Sequence, residues 1–294
     1  MTVPSEVVPG SDLRAIAQRL RELVVDMLAT AGSGHTAGPL GMADIMAALY
    51  FRCLRHDPLR PEWADRDVFM LSNGHTAPIL YAALAQAGYF PLEELRTLRT
   101  HGSRLQGHPE RLSLPGVEST SGPLGEGLSQ GAGYAYVLKH LDKNPHRFVY
   151  VAMGDGELDE GNIWEAAMFA AKYGLGQLIG IVDRNYIQID GGTEEVMPLG
   201  DLCAKWRSFG WHVLEVNGHN PDAIVDAVET AKAVVDRPTV IIANTIPGRG
   251  VPYMEYDFSW HGKPPSREQA RAWLDGSSDP AAGFDYKAAE KEVQ

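Results

Sequence analysis

The feature that most constrains this chain is a strand–helix–strand unit with Gly154-Asp155-Gly156 closing its first strand and Asn185 closing its second. The apolar run Phe148-Val149-Tyr150-Val151-Ala152-Met153 ends at the glycine-flanked aspartate. A second run, Leu178-Ile179-Gly180-Ile181-Val182, leads into Asp183-Arg184-Asn185, and Asp159 to Tyr173 between them has helical spacing. Such a crossover makes the two strands parallel, so their carboxyl ends share one sheet edge. Ligands of open α/β sheets bind at that edge. Asp155 and Asn185 are therefore expected to face one crevice, offering a carboxylate and an amide oxygen to a hard divalent cation. Mg²⁺ in such a site draws further oxygens from phosphate. Glycine on both sides of Asp155 lets the backbone approach a phosphate group, and a helix N-terminus follows. The unit reads as a diphosphate–metal clamp. A Gly-Asp-Gly tripeptide alone closes many strands; the asparagine ending the next strand is what singles this one out.

The rest of the chain alternates in the same way. Ser11 predicts an N-cap for a helix reaching about Ala31, with Leu13, Ile16, Leu20, Leu23, Val24 and Met27 on one face. A turn over residues 32–39 separates it from a second helix over Met42 to Leu54. Asp67 to Leu71 predicts a strand, Ser72-Asn73-Gly74-His75 a turn, and Ala77 to Ala87 a helix. Thr100 to Gly127 is rich in Gly, Pro, His and Ser without periodicity, which marks a functional loop. A helix to about Lys143 follows, then the strand–helix–strand unit and a long turn. A helix near Leu199 to Phe209, a strand Trp211 to Val216, a helix Pro221 to Val235 and a strand Thr239 to Thr245 complete the pattern. The alternation predicts an α/β fold: a doubly wound, mainly parallel sheet flanked by helices, in one domain over residues 11–275. Residues 1–10 read as a loose arm and 276–294 as a polar tail wrapping the surface.

Composition narrows the partners. With 294 residues the chain can bury a full core, and its net charge of −12 argues against nucleic acid or an anionic membrane. A phosphorylated ligand must then be held by local groups and a metal. The only cysteines, Cys53 and Cys203, lack metal-ligand spacing and read as free thiols of a cytoplasmic protein. No apolar stretch reaches membrane-spanning length, and the N-terminus lacks the order of a secretory signal.

Gly154-Asp155-Gly156-Glu157-Leu158-Asp159-Glu160-Gly161 through Asp183-Arg184-Asn185 resembles the thiamine diphosphate motif, and the continuation Asn185 to Gly191 is similar to the diphosphate-binding domain of transketolases. The resemblance implies that Asp155 and Asn185 coordinate Mg²⁺, or Ca²⁺ or Mn²⁺ in its place, with the Ile187 carbonyl as a third ligand. Gly154 and Gly156 would lie along the diphosphate, the Gly156 amide touching it. His35, His75, His108 and His261 each sit beside glycine in a turn. Singly, such a histidine is more often a cap or a surface residue. Four turns that converge on one crevice would suit a reaction that polarises a carbonyl and shuttles hydroxyl protons near neutral pH. The family likeness implies that they line the cofactor and substrate channel, His75 and His261 touching the cofactor, although Thr36-Ala37-Gly38 departs from the usual stretch after the first histidine. Gly122 and Leu124, in a turn that would otherwise only start a helix, are implied to meet the aminopyrimidine. Glu160 is either an exposed carboxylate favoured by a helix dipole or, by resemblance, a residue communicating across a dimer interface. Glu157, Asp159 and Glu165 read as solvated or structural.

The cofactor performs the covalent chemistry, but in transketolases its activating glutamate and most sugar-phosphate contacts lie on a second, pyrimidine-binding domain. The likeness covers about residues 11 to 268 and maps onto the first domain only. The expectation is therefore the N-terminal subunit of a split transketolase. It would work with a separate C-terminal (pyrimidine-domain) subunit, in a heterotetramer of two plus two, on sugars or sugar phosphates. Rival readings are the α subunit of a 2-oxo-acid dehydrogenase, a ketol transferase for an unusual sugar or secondary metabolite, and a non-catalytic cofactor-binding subunit.

Overall fold

The computed structural model describes residues 12–276. Ten α-helices and seven strands are assigned among them. In chain order they begin with α1 (Leu13–Ala31), α2 (Ala37–Gly41), α3 (Ala43–Ala48), β1 (Val68–Leu71), α4 (Ala77–Ala87) and α5 (Glu126–His140). Next come β2 (Val149–Gly154), α6 (Gly161–Lys172), β3 (Leu178–Arg184) and a short hairpin of β4 (Ile187–Gln188) and β5 (Gly191–Gly192). The chain closes with α7 (Thr193–Val196), α8 (Leu202–Ser208), β6 (His212–Asn217), α9 (Pro221–Ala233), β7 (Thr239–Asn244) and α10 (Arg267–Leu274).

The main sheet has the order β1-β2-β3-β7-β6 with every neighbouring pair parallel. Its central strands are buried on both faces, which is why they read as unbroken apolar runs rather than as alternating ones. Alternate residues feed two separate cores. Tyr150, Ala152, Ile179, Ile181, Ile241 and Ala243 pack with α1, α3, α4 and α9. Val149, Val151, Met153, Leu178, Val182 and Val240 pack with α5, α6 and α8 on the other face. The result is the expected doubly wound, helix-flanked α/β fold.

Local readings change at several places. Asp12 caps α1, its Oδ1 accepting from the Arg14 amide at 2.9 Å, while Ser11, the arm and the tail beyond Gly276 lie outside the described residues. The helix expected over Met42 to Leu54 is instead α3 followed by a π-helical turn Leu49–Cys53, and α2 starts inside the segment expected as a turn over residues 32–39. The interruption between α2 and α3 falls at Met42, beside Gly41, where an added Cβ would stand 3.1 Å from the Ile246 carbonyl oxygen, so the loop after β7 passes close against this point. Helix α10 is an addition to the expected pattern, although Ser266 and Gln269 form a reciprocal capping box that the Ser-Arg-Glu-Gln order encodes.

All the carboxyl strand ends that matter point one way. The turn after β1 carries Asn73 and His75, β2 ends at Gly154, β3 delivers Asn185, and the long segment between α4 and α5 folds over the same edge.

Candidate functional site

A cavity of about 290 Å³ opens at this carboxyl edge. Gly154, Asp155, Gly156, Asn185 and Ile187 line one end, and His35, His75, His108, His261, Gly122 and Leu124 line the remainder, together with Asn73, Thr76, Glu157, Gln188 and Ile189. Eleven of the twelve residues singled out in the sequence are thus brought together. Glu160 is the exception: it is an exposed N-cap of α6, makes no side-chain capping bond and does not line the cavity.

Each histidine arrives on a different segment, and the packing between them is tight. The ring centroids of His35 and His75 are 4.9 Å apart, those of His75 and His261 5.2 Å, and those of His35 and His261 5.5 Å. Glycine at 74 lets the turn that carries His75 lie against the 121–122 backbone, where a Cβ would fall 2.9 Å from the Ser121 carbonyl carbon and 3.0 Å from the Gly122 amide. Burial, then neighbouring histidines, pushes His35 down to about 4 and His75 down to about 3. Burial lowers His261 as well, and burial followed by the Arg99 charge lowers His108. The cluster is neutral at physiological pH and can donate or accept hydrogen bonds without carrying charge. Buried Nδ1 of His35, Nδ1 of His261, Oδ1 of Asn73 and Nε2 of Gln188 have no hydrogen-bond partner among the described residues. Protein interiors rarely leave such atoms unpaired, and all four belong to side chains lining this one cavity.

These shifts carry a stability prediction. The unfolded chain takes up protons on these rings near pH 6.5, whereas folded His35 and His75 resist until about 4 and about 3. Their contribution to stability is complete above pH 6.5 and is lost as pH falls below it. The melting temperature of the His75→Gln variant is expected to fall less steeply than that of the parent between about pH 6.5 and about pH 4. Parallel melting curves across that window would refute the assignment.

At the other end, Asp155 is 1% exposed. Its Oδ2 accepts from Arg184 Nη1 at 3.0 Å and from the Tyr186 amide at 2.7 Å, and its Oδ1 from the Gly156 amide at 2.8 Å. The Gly156 amide, expected to touch a diphosphate, is therefore directed at the nearest buried anion, its own neighbour's carboxylate. A Cβ at Gly156 would stand 3.2 Å from Gln188 Cβ. Burial raises the Asp155 carboxyl, with Arg184 and the two amides pulling the other way. Asn185 donates Nδ2 to Asp183 Oδ2 at 2.8 Å, and its Oδ1 accepts from the Ile187 amide at 3.1 Å. Asp183 itself is pushed up to about 7, chiefly by burial and opposed first by the hydroxyl of Thr245.

No group of three or more His, Cys, Asp or Glu suited to a metal occurs among the described residues. The clamp offers one carboxylate, one amide oxygen and one backbone carbonyl, an all-oxygen set too small to complete an octahedron. That fits a magnesium ion sharing its shell with phosphate and water.

The sequence allows Glu157 to be solvated or structural, and the fold decides for structural. At 2% exposure it accepts from Ser72 Oγ, from the Gly125 amide at 2.7 Å and from the Gly154 amide at 3.0 Å. One carboxylate thereby ties the turn after β1, the loop before α5 and the end of β2. Gln188 and Ile189 also line the cavity; both lie in the Asn185 to Gly191 stretch, but nothing in their chemistry marks them.

Fold and cavity together define a doubly wound α/β cofactor-binding domain with its ligand site at the carboxyl edge. Residues 13–285 match the family described as transketolase, thiamine diphosphate binding domain, and the chain belongs to that family. It is 44% identical over 261 residues to the 6-deoxy-6-sulfo-D-fructose transketolase subunit SqwG of Clostridium sp. (strain MSTE9), covering 89% of this chain and 94% of that one. It is 40% identical over 253 residues to an apulose-4-phosphate transketolase subunit of Phocaeicola vulgatus, covering 86% and 89%. The solved transketolase from Leishmania mexicana is similar with a TM-score of 0.86 at 34% identity, over 96% of this chain but 44% of that one. The chain thus spans less than half the length of that transketolase, and 40% of transketolase 2 from Xanthobacter flavus.

Proposed function

We propose that this chain is the diphosphate-binding subunit of a two-chain transketolase, a transferase that moves a two-carbon ketol unit between sugar or sugar-phosphate substrates. The observation that carries the reading is the meeting of a neutral histidine cluster and an oxygen-donor clamp in one cavity. Two relatives matched over 94% and 89% of their own lengths are themselves named as transketolase subunits, which supports partner dependence. Ile189 lines the cavity yet is 64% exposed, and Met197 nearby in sequence is 56% exposed. Apolar groups beside a ligand cavity suit a surface that a pyrimidine-domain chain covers. The assembly we propose is two plus two, in the cytoplasm.

Asp155 and Asn185, with the Ile187 carbonyl, would hold Mg²⁺, and the backbone at Gly154 and Gly156 leaves room for the diphosphate. Gly122 and Leu124 would border the aminopyrimidine. When bound, thiamine diphosphate supplies the carbon nucleophile and the electron sink for cleaving and forming the carbon–carbon bond. His35, His75 and His261, held neutral by burial, orient the donor carbonyl and hydroxyls and accept or return hydroxyl protons. His108, more exposed, stands toward solvent where a sugar would enter. Glu160, on the exposed start of α6, would act across the interface between copies rather than at the reacting atoms.

The relatives named for 6-deoxy-6-sulfo-D-fructose and apulose 4-phosphate favour a second reading, in which the sugar is an uncommon one. Ketol transfer assayed with the chain alone, with a pyrimidine-domain chain, and with both plus Mg²⁺ and thiamine diphosphate tests the proposal. Turnover is expected only from the complete mixture. Robust transfer by the lone chain would sink the split assembly, and decarboxylation of pyruvate into an artificial electron acceptor would favour the 2-oxo-acid rival.

A further inference from the structure

Asp155 is held by more than its own turn. Arg184, the last residue of β3, is buried and sends Nη1 to Asp155 Oδ2 at 3.0 Å and Nη2 to Glu194 Oε1 at 2.5 Å. The same guanidinium carbon lies 4.2 Å from the centroid of the Tyr186 ring. Tyr186 has φ 63°, a left-handed conformation that a bulky residue rarely adopts. Every polar group of Tyr186 is used to keep it there. Its amide donates to Asp155 Oδ2 at 2.7 Å, its carbonyl accepts from the Thr193 amide at 2.9 Å, and its hydroxyl donates to Asn244 Oδ1 at 2.8 Å. Thr193 Oγ1 adds a contact to Asp155 Oδ2 at 3.3 Å, and Asn244 is itself fixed by Glu215.

One side chain therefore touches both the clamp carboxylate and the strained residue immediately before Ile187. We infer that Arg184 and Tyr186 form a brace that orders the metal–diphosphate clamp before any ligand arrives. Arg184 fixes Asp155 by Oδ2, and by stacking on Tyr186 it holds the left-handed turn that aims the β4–β5 hairpin and the Ile187 carbonyl. The identity of the ligand rests on the function proposed above; the brace rests on the geometry. Arg184 is a positioning residue, acting through Asp155 and Tyr186. Its planar fork can serve two carboxylates while stacking on a ring, which the point charge of lysine cannot do.

Ligand affinity falls in proportion to the fraction of protein already in the competent conformation. If the clamp of an Arg184→Lys variant is ordered only a tenth of the time, about tenfold more Mg²⁺ and thiamine diphosphate are needed for half-saturation. The experiment is calorimetric titration of both on the full chain assembled with its pyrimidine-domain partner. It is paired with hydrogen exchange of the 187–193 amides in the cofactor-free chain. R184K is expected to weaken both affinities about tenfold, to lower saturated turnover far less than affinity, and to accelerate that exchange. Tyr186→Phe, which keeps the ring stack, is expected to lose much less. Native affinity with native exchange in R184K overturns the brace. Should R184K not fold, Tyr186→Gly decides, because glycine relieves the strain while removing the stack: unchanged affinity overturns the brace and a comparable loss supports it. A parent assembly that binds no thiamine diphosphate overturns the functional reading, while exchange at 187–193, read without cofactor, still decides for or against the brace.

Discussion

Asp155→Ala is expected to abolish magnesium-dependent retention of thiamine diphosphate, weakening it by more than about 100-fold, since loss of a residue merely supporting a metal ligand already removes about 10- to 100-fold. The substitution removes the only carboxylate among the three oxygen donors proposed for the metal. It also strands the buried Arg184 guanidinium, which has 7% of its side chain exposed. Breaking a buried pair from one side costs about 3–5 kcal/mol, because the remaining charge is left uncompensated. Glu194 still accepts from Arg184, so the lower end of that range applies. Asp155→Asn separates the two effects, keeping an oxygen for the Tyr186 amide while removing the charge that attracts the cation. Calorimetric titration of the cofactor with and without Mg²⁺, beside thermal melting, checks both. Native cofactor affinity in Asp155→Ala would show that the clamp lies elsewhere.

The second large effect concerns a residue that does no chemistry. Glu157→Ala leaves the Ser72 hydroxyl and the Gly125 and Gly154 amides without their shared acceptor. Each buried donor left unsatisfied costs about 1–3 kcal/mol, so a total loss of about 4 kcal/mol is expected, with partial recovery as water enters. For a domain of this size that corresponds to a fall in melting temperature of about 10 °C. Because the same carboxylate joins three segments that frame the cavity, Glu157→Ala should also weaken cofactor binding in protein still folded at low temperature. A melting temperature within about 2 °C of the parent would mean that Glu157 is not the knot its hydrogen bonds describe.

The contrast between these two acids shows what was legible. Asp155 announces itself because its proposed role rests on a local pattern: a strand end, two glycines, and an amide at the end of the next parallel strand. Glu157, two residues on, gives no signal, since its three donors come from Ser72, Gly125 and Gly154 and only the folded chain assembles them. The histidines lie between these cases. Each glycine–histidine turn is visible, but the burial that keeps His35, His75 and His261 neutral, with their rings 4.9–5.5 Å apart, is a property of three loops meeting. Capping and breaking behave likewise. The Ser266–Gln269 box is written in four consecutive residues, whereas the interruption at Met42 lies beside Gly41, which packs against the Ile246 carbonyl from far along the chain.

Sequence alone determined a helix-flanked, mainly parallel sheet and the edge that carries the candidate site, because apolar runs, helical spacing and glycine-flanked turns act over a few residues and leave a periodic trace. Only the tertiary structure decided which carboxylates are buried, which rings lose their charge, and that Arg184 and Tyr186 stand behind the clamp. Burial and pairing are sums over neighbours distant in the chain, and no local pattern encodes them.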